Sequence, residues 1–309
     1  RRRAGISITS RGRVARARAA CLVSQRVVSH VLRRAPHPSG PVGVGPEDPS
    51  DGLDGLDLRA YSLMKHGHLP SVNALADRLT ADLLAADARL LDPQLRISLP
   101  VAYLAVLPAC GHLAQRVAQG LAAARAEGAA EVRVVRLAKS AVTTIDYAAS
   151  SADERRSQML ALSFSLDEPL DGDLVVLVDD VRITGLAEEA AVAALAAQAR
   201  PLDIITAYVA AAAPELATDP SVEHALNHSF VSSPLDLLPA IEAGEFALTI
   251  RYLKWALGSP EAAQLLRAIP EALASEMDRG AAASGLWGRP EFEDAHAALQ
   301  QRLGAGARA

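Results

Sequence analysis

Lysine is almost missing from this chain. Lys65, Lys139 and Lys254 stand against 28 arginines. With alanine so abundant, that imbalance matches the coding bias of a GC-rich genome, so arginine richness carries no functional weight by itself. The three lysines that remain are candidates for positions where a compact ammonium serves and a guanidinium fork does not. Cysteine is scarce too. Cys21 and Cys110 lie far apart in dissimilar contexts, which argues against a disulfide framework or a zinc site and fits a reducing compartment such as the cytoplasm. No apolar run approaches the ~18 residues of a membrane span. Acidic residues are absent from 1–34, which hold ten arginines; the remainder carries 21 basic residues against 36 acidic ones. The body of the protein is therefore acidic, and a nucleic-acid role for it is disfavoured.

What is present reads as one domain with extras: 309 residues, half of them apolar, are enough for a sizeable core. Residues 1–34 are expected to be a disordered, dispensable basic leader. A transit peptide, a basic arm, and a processed, truncated or over-extended reading frame all remain open for it. Pro36, Pro38, Pro41, Pro46 and Pro49 among Gly and Ser mark a linker. The division expected is leader and linker over 1–55, an α/β core over 56–240 and a helical cap over 241–309.

From Leu56 the pattern alternates. Val72, Leu75, Leu79, Leu83 and Leu84 recur at helical spacing within 71–91. Before them lies Tyr61–Gly67, which could close over a ligand or be a helix start whose His66 and His68 face water. Residues 97–107 read as a buried strand, broken by Pro108–His112 before a helix from Leu113. Cys110 in that break reads as a small hydrophobe rather than a nucleophile. A strand at 132–137 leads into a polar stretch, 140–157, with Lys139 at its start and Asp146, Tyr147, Arg155 and Arg156 within it. Leu160, Leu162, Phe164 and Leu166 then alternate with small residues, the mark of an antiparallel strand with one wet face. Further strands are expected at 203–210 and, briefly, 228–231; beyond Pro234 the pattern is helical. Residues 247–257 could touch a ligand with Arg251, Lys254 and Trp255, or form an amphipathic helix with its aromatics in the core. The fold class expected is α/β: a mostly parallel twisted sheet flanked by helices, with a helical hood or C-terminal cap.

The most informative stretch is Leu174–Ala187. Five apolar residues, three of them β-branched, form a strand buried on both faces and ending in Asp179 and Asp180. A short loop with Thr184 and Gly185 opens a helix from Leu186. The carboxyl end of a strand beside the start of a helix suits a phosphate, because the free N–H groups and the helix dipole point there. Two carboxylates next to it suit ribose hydroxyls or magnesium. The competing reading is an ordinary βα turn with solvated acids.

Val-Val-Leu-Val-Asp-Asp-Val-x-x-Thr-Gly resembles the phosphoribosyl-pyrophosphate loop of the type I phosphoribosyltransferases. The resemblance implies that Asp179 and Asp180 hold the ribose hydroxyls and that Val181, Arg182, Ile183, Thr184, Gly185, Leu186 and Ala187 wrap the 5′-phosphate. It implies a mobile catalytic loop over the 140–157 stretch, with Lys139, Arg155 and Arg156 as candidates to neutralise pyrophosphate. It also implies Mg2+ as cofactor, with no protein ligand assigned. Arg182, Ile183 and Ala187 depart from the family pattern, and Ala187 lacks a hydroxyl common there. The Tyr61 and Asp146-Tyr147 segments are faintly similar to bacterial phosphoribosyltransferase-like proteins of stress-response gene clusters, which would favour an unusual acceptor.

The activity so implied is transfer of phosphoribosyl between phosphoribosyl pyrophosphate and a nucleobase-like nitrogen acceptor, with pyrophosphate released. The alternative is a non-catalytic protein that binds a phosphoribosyl ligand and regulates through partner contacts. A magnesium phosphohydrolase is disfavoured because the acids are adjacent rather than spaced Asp-x-Asp. The partners expected are small molecules; a homodimer is left open.

Overall fold

A computed structural model describes residues 22–36, 53–139, 164–198, 203–219 and 221–306. Its centre is a six-stranded sheet: β1 (Leu22–Leu32), β2 (Ile97–Tyr103), β3 (Val132–Lys139), β4 (Phe164–Leu166), β5 (Leu174–Arg182) and β6 (Asp203–Ala212). The spatial order is β1-β6-β5-β2-β3-β4, and every pairing is parallel except β3 with β4. The α/β class expected from the alternating pattern is the class observed.

Helices cover both faces, as parallel strands buried on both sides require. On one face α1 (Leu58–Lys65), α2 (Leu69–Ala86) and α3 (Ala109–Ala124) pack on the sheet. Val72, Leu75, Leu79 and Leu83 of α2 join Leu113, Val117 and Leu121 of α3 in one core with Leu99, Val176, Val178 and Ile205. The other face carries α4 (Leu186–Gln198), whose Leu195 packs with Val135, Val175 and Ile204. Beyond β6 come α5 (Ser221–Asn227), α6 (Leu238–Glu242), α7 (Ile250–Gly258), α8 (Ala262–Ala268), α9 (Glu271–Ala283) and α10 (Glu293–Gly306). From Val231 onward these build a separate hydrophobic cluster, including Tyr252, Leu253, Met277 and Leu299, against which Leu63 and Val106 of the α/β part pack.

The structure corrects several expectations. Residues Leu22–Leu32, placed in a disordered leader, form an edge strand paired with β6 along its length. Val27 and Leu32 are buried, and Arg26, which interrupts the apolar run, is held by Glu188. α3 begins at Ala109 rather than Leu113, because Pro108 is its N-cap rather than part of a longer break. Residues 228–231 form no strand, and β5 runs past the acids to Arg182. His66, which faces water on one of the two readings of Tyr61–Gly67, is fully buried. Of the expected edge strand, Phe164–Leu166 is present and antiparallel to β3; Leu160 and Leu162 lie outside the described residues, as do Asp146 and Tyr147.

The end of α1 is fixed by a capping motif. His68 N–H donates to the Leu63 carbonyl and Gly67 N–H to the Met64 carbonyl, with Gly67 at φ +99°. A Cβ at Gly67 would meet the Ala247 carbonyl oxygen well inside van der Waals contact. Ala247 N–H donates to the Gly67 carbonyl at 2.9 Å and Leu69 N–H to that of Glu245 at 2.8 Å, so the α1–α2 corner is stitched to the cap. Gly67→Ala should lower stability by at least about 1–3 kcal/mol, read as a lower urea midpoint; an unchanged midpoint would show that the corner relaxes freely.

Candidate functional site

β2 and β5 pair only at Ile97–Leu174 and Ser98–Val175. There Asp173 clamps the two strands: its buried carboxylate accepts from Arg96 Nε and Ser98 Oγ at 2.6 Å each, and from Arg133 at 3.2 Å. Pro100 comes next but one, with no N–H to donate, and the ladder to β5 stops before it. The strands then part while β2 continues beside β3 to Tyr103. Chain order also reverses here, since β3 lies to one side of β2 and β5 and β6 to the other. Open α/β sheets bind ligands in such a crevice, at the carboxyl ends of the strands. A cavity of about 650 Å³ fills it, roofed by α5, α7 and part of the cap.

The acid doublet lies in this crevice. Strand alternation puts Asp180 on the face of Val176 and Val178, toward α1, and Asp179 on the opposite face. Asp180 is 6% exposed, and its carboxylate is spoken for twice. One oxygen accepts from Val181 N–H at 2.7 Å; the other meets Lys65 Nζ at 2.5 Å. Lys65, the last residue of α1, is itself only 6% exposed and lies 3.7 Å from Glu223 of α5. Burial opposes its charge most, but the carboxylates of Asp180 and Glu223 together hold the amine above its ordinary value. Asp179 has no such cation within bonding distance among the described residues; its Oδ1 accepts from Asp180 N–H at 2.9 Å. Burial first, and then the charge of Asp180, push its carboxyl up to about 7.

The turn beyond β5 is shaped by Gly185 at φ +79°. The Arg182 guanidinium lies across Gly185, where a Cβ would collide with it. Its Nε is 3.4 Å from Glu188, which also accepts from Arg26 and, at 2.7 Å, from the Tyr208 hydroxyl. Burial opposes ionisation of Glu188, yet these donors hold its carboxyl below the ordinary value. A negative residue in the first turn of α4 is thus neutralised from behind by two arginines. Val181 and Ile183 bury their side chains in the core, so only the backbone at those positions can meet a phosphate. Ala187 is exposed and offers no hydroxyl.

All of Asp179, Asp180, Lys139 and Val181–Ala187 line this cavity. Lys139 sits at the end of β3, where burial lowers its amine from the ordinary value while Cys110 and Asp179 favour its charge. Burial pushes the Cys110 thiol well up, in keeping with an inert thiol. Arg155 and Arg156 lie outside the described residues. Composition marked Lys65 as unusual but could not join it to the doublet 115 residues away; Glu223 and Arg26 carried no signal at all. The opposite wall is aromatic: His66 packs on Trp255 and His228 with ring centroids 4.9 and 5.4 Å apart. His66 Nδ1 bonds the Ser62 carbonyl at 2.8 Å, and burial pushes its imidazole down to about 3, so the ring is neutral. Residues Ile250–Gly258 form a helix with Tyr252 in the core, while Arg251, Lys254 and Trp255 line the cavity. Among the described residues no group of three or more His, Cys, Asp or Glu could hold a metal, and Asp180 is already paired. The expected magnesium ion therefore has no protein-built site among them.

An aspartate held protonated above its ordinary value destabilises the unliganded fold increasingly as pH rises from about 4 toward 7, and fully beyond. Asp179→Asn should therefore raise stability more at pH 8 than at pH 5, read by urea unfolding at both. A gain independent of pH would return this carboxyl to the ordinary range.

The family model described as PRTase ComF-like matches residues 87–286 of the chain. A search of curated proteins finds no match.

Proposed function

The chain belongs to the ComF-like phosphoribosyltransferase family, and from that membership we propose that it moves a phosphoribosyl group between phosphoribosyl pyrophosphate and a nucleobase-like nitrogen acceptor. Pyrophosphate leaves C1 as the acceptor nitrogen bonds to it. The observation that carries the reading is the convergence of the acid doublet, the Gly185 turn, the start of α4 and Lys139 on one crevice at the parting of β2 and β5.

Little covalent work falls to side chains in such a displacement. Asp179 and Asp180 accept hydrogen bonds from the ribose hydroxyls, and their field suits the positive charge that develops on the ring. Backbone N–H groups of the 182–187 turn, with the Thr184 hydroxyl, hold the 5′-phosphate at the start of α4. Lys139 meets the leaving group. The wall of His66, His228 and Trp255 gives a planar acceptor an apolar, ring-lined face. The cap excludes water from the ring cation.

One observation favours a second reading, in which the protein binds a phosphoribosyl ligand without turning it over: Ala187 lacks a hydroxyl. A single assay separates the two. The protein is incubated with labelled phosphoribosyl pyrophosphate and a panel of bases, with and without magnesium. Pyrophosphate release that depends on one base supports transfer; binding without release supports the sensor; no binding removes both. Asp180→Asn should cut turnover by at least ~10²-fold if its contact strengthens toward the transition state, and undiminished turnover would remove that carboxylate from the mechanism.

A further inference from the structure

The geometry points to Lys65 as a positioning residue of the phosphoribosyl site: from α1 it pins the Asp180 carboxylate in place, so that Asp180 is the fixed anion of the doublet and Asp179 the member left to adjust to the sugar. This rests on the reading of the doublet as the ribose site. Lys65 also lies before residue 87, where the family match begins.

An amine out of water must be paired, and Lys65 Nζ has Asp180 at 2.5 Å and Glu223 only at 3.7 Å. With Val181 N–H on the other oxygen, the Asp180 carboxylate is held at both ends and cannot rotate without losing one bond. A carboxylate has about four lone-pair sites, so two remain for a hydroxyl. Lys65 and Asp180 both line the cavity. A ribose hydroxyl can donate to the free lone pairs of a carboxylate held in this way. The lysine itself is immobilised. The Gly67 turn that ends α1 is bonded to Ala247, and Ser62 Oγ donates to the Asn227 carbonyl at 2.7 Å.

Calorimetric titration of the full chain with phosphoribosyl pyrophosphate and with ribose 5-phosphate tests this on Lys65→Met, Asp180→Asn and the double variant. Each single change should weaken both ligands about tenfold or more. The double variant should bind no worse than Asp180→Asn, because Lys65 acts through Asp180. Wild-type affinity in Lys65→Met, or losses that multiply in the double variant, would overturn the inference. Where Lys65→Met does not fold, the double variant, which leaves no lone buried charge, is compared with Asp180→Asn alone: equal affinity supports the role and a further tenfold loss overturns it.

A readout that needs no ligand is the carboxyl carbon of Asp179, followed by NMR against pH. Apart from Asp180, the groups acting on or facing it are Lys65, Cys110 of α3, Lys139 of β3, Tyr208 of β6 and Glu223 of α5. Lys65 alone is removed in Lys65→Met, so the Asp179 midpoint should rise by about one pH unit; an unmoved midpoint counts against the pairing. If the wild type binds neither ligand, the phosphoribosyl reading is what fails, and the Lys65–Asp180 arrangement is judged on this titration.

Discussion

β2 and β5 are neighbours in the sheet that share backbone pairing for only two residues, and the whole crevice depends on how that parting is arranged. Asp173 fastens the closed end with three side-chain donors, and Pro100 withholds the N–H that would extend the ladder. Closing the crevice would need a different residue at 100; opening it further would break a buried carboxylate from its partners. The opening sits where the strand order reverses, so the carboxyl ends of β2, β3 and β5 all deliver residues to it. A rigid sheet thus supplies the precision that a loop-built site would have to find elsewhere.

Inside that crevice the governing problem is charge in a poor solvent. Three of the carboxylates there are handled in three ways. Asp180 is matched by an ammonium, Glu188 by two guanidinium groups and a phenol, and Asp179 by partial protonation. Each solution leaves a different surface for a ligand: a fixed anion, a neutralised background behind the turn, and a carboxyl whose state depends on what enters. Arg182, which departs from the family pattern at the turn, belongs to the second of these.

Much of this architecture was legible in the chain, and the reasons for the gaps are physical. The strand 174–178, the acids after it and the helix from Leu186 are local features, set by residue pattern within a dozen positions, and they stand where expected. So do the antiparallel strand at Phe164–Leu166, as far as that region is described, and the helical tail. Long-range pairings were hidden. Nothing within α1 says that Lys65 reaches a carboxylate 115 residues on, although its rarity singled it out. His66 sits among polar neighbours and reads as exposed, yet the cap folds over it. β1 was obscured by composition: arginines on either side disguised a run of Val and Leu that is strand-like in itself. Ser62, Glu223 and Arg26 act only through partners in distant elements, and no local signal marks them.

β1 carries one more implication. It covers the outer edge of β6 for nine residue pairs, and its Arg26 is one of the two guanidinium groups behind the α4 start. A version of the protein trimmed to begin near Leu56 would look like the sensible minimal domain. It would instead bare a ten-residue strand of almost wholly apolar character, with unpaired amides and carbonyls ready to recruit another chain. The arginine-rich beginning of the sequence therefore contains a piece of the sheet's own selvedge, and solubility would suffer before chemistry did.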